Sequence, residues 1–74
     1  MHKKSVLIKF GDNLRLERLR RRLSQEDLAE MAGLSTPNHI GKIERAEVNP
    51  TLTTIATLLK VLDIDFETLY DPKI

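Results

Sequence analysis

This chain of 74 residues has no cysteine, which excludes a disulfide scaffold and any cysteine-ligated zinc or iron–sulfur site. Tryptophan is also absent, and Phe10, Phe66 and Tyr70 are the only aromatic residues. So few rings, each suited to a core or interface position, cannot supply the stacking platforms that unpaired RNA or single-stranded DNA needs. No long apolar run is present. Val6-Leu7-Ile8, the longest near the N-terminus, is far too short for a signal peptide or a membrane span, so a cytoplasmic protein is expected. The two histidines, His2 and His39, are far apart and lack ligand-like neighbours, so both read as surface polar residues and no metal is expected. There is no Ser/His/acid set and no glycine-rich phosphate loop, and the carboxylates fall at caps and on helix surfaces. The reading is therefore not an enzyme, and no cofactor is evident.

Little net charge is present, but it is unevenly spread. Residues 1–45 carry ten Lys/Arg and six Asp/Glu, a balance of +4, whereas residues 46–74 carry two and five, a balance of −3. A basic half and an acidic half fit nucleic acid on one face and another contact elsewhere, although an ordinary solvated surface accounts for charge alone equally well. At this length one small domain is expected, burying only about 60% of the unfolded chain's surface.

Periodicity and punctuation place five helical segments and no strand. The first spans about 8–21, with Phe10 and Leu14 on one face and Leu16, Leu19 and Leu23 on another. The second spans about 25–31, capped by Ser24, with Asp27 in a capping-box position. The third spans about 37–45, with Thr36 as N-cap and Pro37 at the first helical position, where a missing N–H costs nothing. The fourth, about 52–62, follows Asn49-Pro50 and is capped by Thr51; Leu52, Ile55, Leu59 and Leu62 recur at helical spacing. A short fifth, about 66–70, is capped by Asp65 and ended by Pro72. The expected fold is all-α, a compact bundle of five short helices over residues 8–71, preceded by an N-terminal arm over 1–7.

The centre of the chain is the most informative part. Ser24 to Leu34 reads as a capped helix ending in a glycine turn, and Ser35 to Arg45 as a second capped helix. Ala29 permits a close helix crossing, and Gly33, four residues on, permits the positive φ that ends the helix. Leu28, Ala32, Ile40 and Ile43 fall on the inward faces. This is the layout of a helix-turn-helix, whose second helix can enter the DNA major groove.

With these residues in place, the chain resembles the lambda-repressor/Cro-like helix-turn-helix (XRE) family, which includes phage repressors, restriction–modification controller proteins and some antitoxins. Four ordered pieces carry the likeness: Phe10-Gly11 with Leu14 and Arg18; Leu23 to Ala29; Ile43-Glu44-Arg45; and Asn49-Pro50-Thr51-Leu52. The resemblance implies a sequence-specific transcriptional regulator that binds double-stranded DNA as a homodimer. It further implies that Gln25 holds a phosphate at the start of the second helix, and that Arg18 and Glu44 form a structural ion pair tying the first helix to the third. Matching positions along the third helix assign base contacts to Thr36, Pro37, Asn38 and Lys42. Asn38 can pair bidentately with adenine or donate to a phosphate; Lys42 can donate to guanine O6/N7 or to a phosphate; for both, a solvated helix face is the plainer alternative. Gly41 is expected to leave room on the groove side. His39, Arg45 and Asn49 are candidate phosphate contacts.

Ile64, Phe66, Leu69 and Tyr70 form an apolar tail group, large for so short a chain. Some of it is expected to close the core; either the whole group does so, or part of it forms a two-fold interface, which would set two third helices about one DNA turn apart on a pseudo-palindromic operator. The competing reading is an antitoxin-like protein-interaction module with secondary DNA binding, favoured if Leu16 and Leu19 are exposed. Three departures from the family pattern stand out. The turn before the third helix is one residue longer than usual. Arg22, Ala46 and Asp63 replace frequent post-helix glycines, and Glu17 stands where an apolar residue is common.

Overall fold

The computed structural model describes residues 3–70, and among them are five helices and no strand. Expectations for Met1 and His2, and for the tail from Asp71 onward including Pro72, lie outside the described residues. The helices are α1 (Lys3–Arg20), α2 (Gln25–Met31), α3 (Asn38–Glu44), α4 (Leu52–Leu62) and α5 (Phe66–Tyr70). Residues 3–7, expected as an arm, are instead the start of α1. No proline interrupts this segment, and Val6 and Leu7 are half-buried, so packing continues the helix toward the N-terminus.

The helix ends follow local chemistry. Ser24 caps α2 with a reciprocal box: its hydroxyl accepts from the Asp27 N–H at 2.8 Å, and its own N–H donates to the Asp27 carboxylate at 2.9 Å. The Thr51 hydroxyl caps α4 by accepting from the Thr54 N–H. At their C-termini α1 to α4 all stop in the same way. The residue in the left-handed region is Arg22 (φ 56°), Gly33 (φ 69°), Ala46 (φ 61°) and Asp63 (φ 56°) in turn. In each case its N–H bonds three residues back and the next N–H bonds five back, as in Leu23 to Arg18 and Ile64 to Leu59. Only the second stop uses glycine; each of the other three holds an L side chain in a conformation that costs roughly 1 kcal/mol.

Phe10 and Leu14 from α1, Leu28 and Ala29 from α2, Ile40 and Ile43 from α3, Leu58 and Leu62 from α4 and Leu69 from α5 make one buried core. Helix α1 packs on both α3 and α5, and α2 packs on α3. The α1–α3 crossing is a backbone contact: a Cβ on Gly11 would lie 2.5 Å from the Ile43 carbonyl oxygen and 2.6 Å from that of Glu44. Two long-range hydrogen bonds complete the frame. Asn13 Nδ2 donates to the Leu69 carbonyl at 2.9 Å, and Arg21 Nη2 donates to the Leu62 carbonyl at 2.8 Å, satisfying a free acceptor at the end of α4.

Candidate nucleic-acid interface

The turn into α3 is set by Thr36, whose hydroxyl accepts from the Asn38 N–H at 3.2 Å while its carbonyl accepts from the His39 N–H at 3.2 Å. Pro37 already has helical dihedrals (φ −65°, ψ −21°), so its ring sits where no N–H is required. The regular helix is one residue shorter at each end than the sequence suggests. Ile40 and Ile43 are fully buried and fix the inward face. The opposite face is exposed and carries Asn38, Lys42 and Arg45 at positions i, i+4 and i+7, which lie on one line. Thr36 and Pro37 are exposed at the N-terminal end of that line, His39 is half-buried beside it, and Asn49 is exposed in the following loop.

Arg18 and Glu44 anchor this helix. Arg18 Nε and Nη2 donate to the two carboxylate oxygens of Glu44 at 2.7 and 3.1 Å, a bidentate pair with both side chains nearly excluded from solvent. Arg18 Nη1 donates to the Leu23 carbonyl at 2.8 Å, and Glu44 Oε1 also accepts from Gln25 Nε2 at 3.1 Å. No buried side-chain nitrogen or oxygen among the described residues lacks a partner. One carboxylate therefore links α1, α2 and α3. Gln25 sits at the first position of α2 with its amide committed to that network, and it remains partly exposed.

Gly41 does not open the groove side. It is buried beneath two side chains: a Cβ there would lie 2.8 Å from Arg45 Nη1 and 3.2 Å from Gln25 Oε1. The reason is that Gly41 lies three residues before Glu44, toward α2, so Gln25 and Arg45 close over it. Arg45 also donates through Nε to Glu47 Oε2 at 2.7 Å, with both side chains about half exposed. That hydrogen bond raises the Arg45 pKa and lowers that of Glu47 from the usual carboxylate value. The Arg45–Glu47 pair was not visible in the sequence pattern; an arginine and a glutamate flanking a helix-stop residue is the signal that would have found it.

Glu17 is buried on α1 and is paired twice, with Arg20 Nη1 and with Arg21 Nη1, each at 2.8 Å. Spacings of three and four residues explain how an acid is tolerated at a position that is commonly apolar. These contacts commit Arg20 and Arg21 to the protein itself. Leu16 and Leu19 are exposed on the outer side of α1.

The apolar tail divides. Leu69, expected among the interface residues, has no exposed surface and belongs to the core, because α5 turns this residue toward α1. Phe66 is 46% exposed, Ile64 and Tyr70 are half-buried, and the rings of Phe66 and Tyr70 stack with centroids 5.2 Å apart. Among the described residues no helix is long and apolar enough to cross a membrane, and no cluster of His, Asp or Glu is placed to hold a metal ion.

Comparison with known proteins follows this geometry. The sequence pattern of the helix-turn-helix family matches residues 14–69. The chain is 46% identical over 54 residues to control protein C.SmaI of Serratia marcescens, an alignment covering 73% of this chain and 63% of that protein. The chain thus spans less than two thirds of the length of that relative. It superposes on the restriction-modification controller protein C.AhdI from Aeromonas hydrophila with a TM-score of 0.82 and 39% identity, covering 89% of this chain and 98% of the other. It also superposes on the hypothetical transcription factor NHTF from Neisseria with a TM-score of 0.84 and 26% identity, covering 97% and 83%.

Proposed function

The chain belongs to the helix-turn-helix family, and we propose that it is a sequence-specific transcriptional regulator that binds double-stranded DNA as a homodimer, with α3 in the major groove. The observation that carries this reading is the exposed line of Asn38, Lys42 and Arg45 on a helix whose other face is buried and ion-paired. An α-helix with its side chains is about 10–12 Å across, which a groove about 12 Å wide admits. Thr36, Pro37, Asn38 and Lys42 supply the base contacts; Gln25, His39, Arg45 and Asn49 supply backbone contacts. Two bidentate-capable side chains per protomer, each worth about 1–3 kcal/mol of discrimination, specify one half-site weakly. Pairing through Ile64, Phe66 and Tyr70 doubles that readout on a pseudo-palindromic operator.

A gel-shift titration against the chain's own upstream DNA and a scrambled duplex, at two salt concentrations, tests the reading. Salt-sensitive binding with two protomers per site and a preference of about 100-fold or more is the expected result. Equal weak binding to both duplexes refutes autoregulation at that site. A monomeric mass at micromolar concentration without DNA argues against the homodimer. A second reading, an antitoxin-like interaction module, draws on the exposure of Leu16 and Leu19 (42% and 45%). If it holds, replacing both with serine abolishes capture of a partner protein and leaves DNA affinity unchanged.

A further inference from the structure

The Arg45–Glu47 pair stands out once the charges of the α3 face are counted. Lys42 and Arg45 are the two exposed cations on that face. Glu44 is buried against Arg18, so Glu47 is the one acid there facing solvent, and it takes the Arg45 Nε–H at 2.7 Å. Helix stability does not explain its presence. Glu47 follows the C-terminus of α3, where the helix dipole disfavours an anion, and an exposed pair of this kind contributes little to folding. The backbone nonetheless aims Glu47 at this spot: Ala46 in the left-handed region turns the chain, and the Glu47 N–H is held by the Lys42 carbonyl at 2.9 Å. The other end of the guanidinium, Nη1, lies over Gly41 beside the Gln25 amide. The arginine thus has its Nε–H taken by an acid, while Nη1 and the Gln25 amide both lie over Gly41.

We propose that Glu47 is an affinity-limiting residue, an internal competitor that occupies the Arg45 guanidinium where a DNA phosphate would bind, and so lowers sequence-independent attraction while leaving base readout to Asn38 and Lys42. This inference rests on the DNA-binding reading above. Its physical basis is that phosphate contacts supply affinity without sequence information. An acid neutralising one such contact reduces binding to every duplex alike, and this raises the relative weight of the base contacts.

The test uses the full chain and two probes, a short duplex of mixed sequence and the chain's own upstream DNA. An exposed pair holds Arg45 only weakly, so its release is expected to tighten binding by about threefold, and by no more than about fivefold, per protomer. E47Q should show that gain equally on both duplexes. The slope of log affinity against log salt should steepen by about 0.9 per protomer. R45A should weaken binding, and E47Q added to R45A should give no gain. D12N on the outer face of α1 removes the same formal charge and should leave affinity and slope unchanged; thermal melts confirm that each variant is folded. Unchanged or weaker binding by E47Q, with wild type binding normally, overturns the proposal and makes Glu47 a residue that orients Arg45. A gain that persists in R45A, or that D12N reproduces, also overturns it in favour of a net-charge effect. If wild type binds neither duplex at low salt, the DNA-binding reading itself fails and the competitor role falls with it.

Discussion

Replacing Arg18 with methionine leaves the Glu44 carboxylate, whose side chain is only 2% exposed, with the Gln25 amide as its one remaining side-chain donor. The substitution also strips the Leu23 carbonyl of its donor. Breaking one half of a buried pair costs about 3–5 kcal/mol, because the remaining charge is neither solvated nor compensated. A chain of 74 residues, at roughly 0.05–0.15 kcal/mol per residue, has about 4–11 kcal/mol of total stability. Arg18→Met should therefore remove about a quarter or more of it and lower Tm by more than about 10 °C. Glu44→Leu alone should cost less, because the flexible arginine can reach solvent and keep its bond to Leu23. Arg18→Met/Glu44→Leu should cost less than Arg18→Met alone, because no buried charge remains and two apolar side chains can pack together. Urea unfolding followed by far-UV circular dichroism measures all four members of the cycle. A loss below about 1 kcal/mol for Arg18→Met, or a double variant equal to the sum of the singles, would refute the reasoning.

Five other substitutions have outcomes set by the same geometry. Gly11→Ala drives a methyl into two backbone carbonyls of α3 and should destabilise by about 1–3 kcal/mol or more, measured by the same unfolding assay. Ala46→Gly should stabilise by up to about 1 kcal/mol by relieving a φ of 61°, while Gly33→Ala, with open space around its Cβ, should destabilise by about the same amount through backbone strain alone. Thr51→Ala should lose about 1 kcal/mol of stability with the cap of α4, read as a fall in Tm. The Asp27 carboxyl is held below its ordinary value by the Ser24 N–H and then by the Ser24 hydroxyl. Because the folded-state pKa is the lower one, that stabilisation is present above the unfolded value of 3.8 and is lost as pH falls through the folded-state value. The Tm gap between wild type and Asp27→Asn should therefore close on acidification.

The parts of the fold that depend on contacts within a few residues were legible before the structure was known. Ser24 with Asp27, Thr51 before Leu52, and Pro37 after Thr36 each set a helix start through bonds spanning two or three residues. The unusual stops at Arg22, Ala46 and Asp63 were legible because each replaces a frequent glycine, and all three have positive φ. The start of α1 is not legible, since Lys3-Lys4-Ser5 carries no apolar periodicity that would extend the helix. Leu69 was grouped with Phe66 and Tyr70, yet a spacing of four residues stacks Phe66 on Tyr70 while Leu69 points the other way, into the core. The setting of Glu17 depends partly on a distant contact: the Arg21 that pairs with it also donates to the Leu62 carbonyl, 41 residues beyond Arg21.

The interface follows the same division. That Asn38 and Lys42 share a face follows from their spacing, but the orientation of that face is not a property of α3. A helix of seven residues has almost no stability of its own. Its position comes from Gly11 touching its last carbonyls, from Arg18 gripping Glu44, and from Gln25 tying the same carboxylate to α2. These three groups would read no base between them, yet a shift in any of them tilts Asn38 and Lys42 together. Base selection in this chain should thus respond to substitutions on α1 and α2 that preserve the fold, as well as to changes at Asn38 and Lys42 themselves. Gln25→Leu is the sharpest case: it removes one of the two donors to Glu44 Oε1 while Arg18 Nη2 keeps the other, and it should alter the preferred operator sequence with a smaller fall in Tm than Arg18→Met.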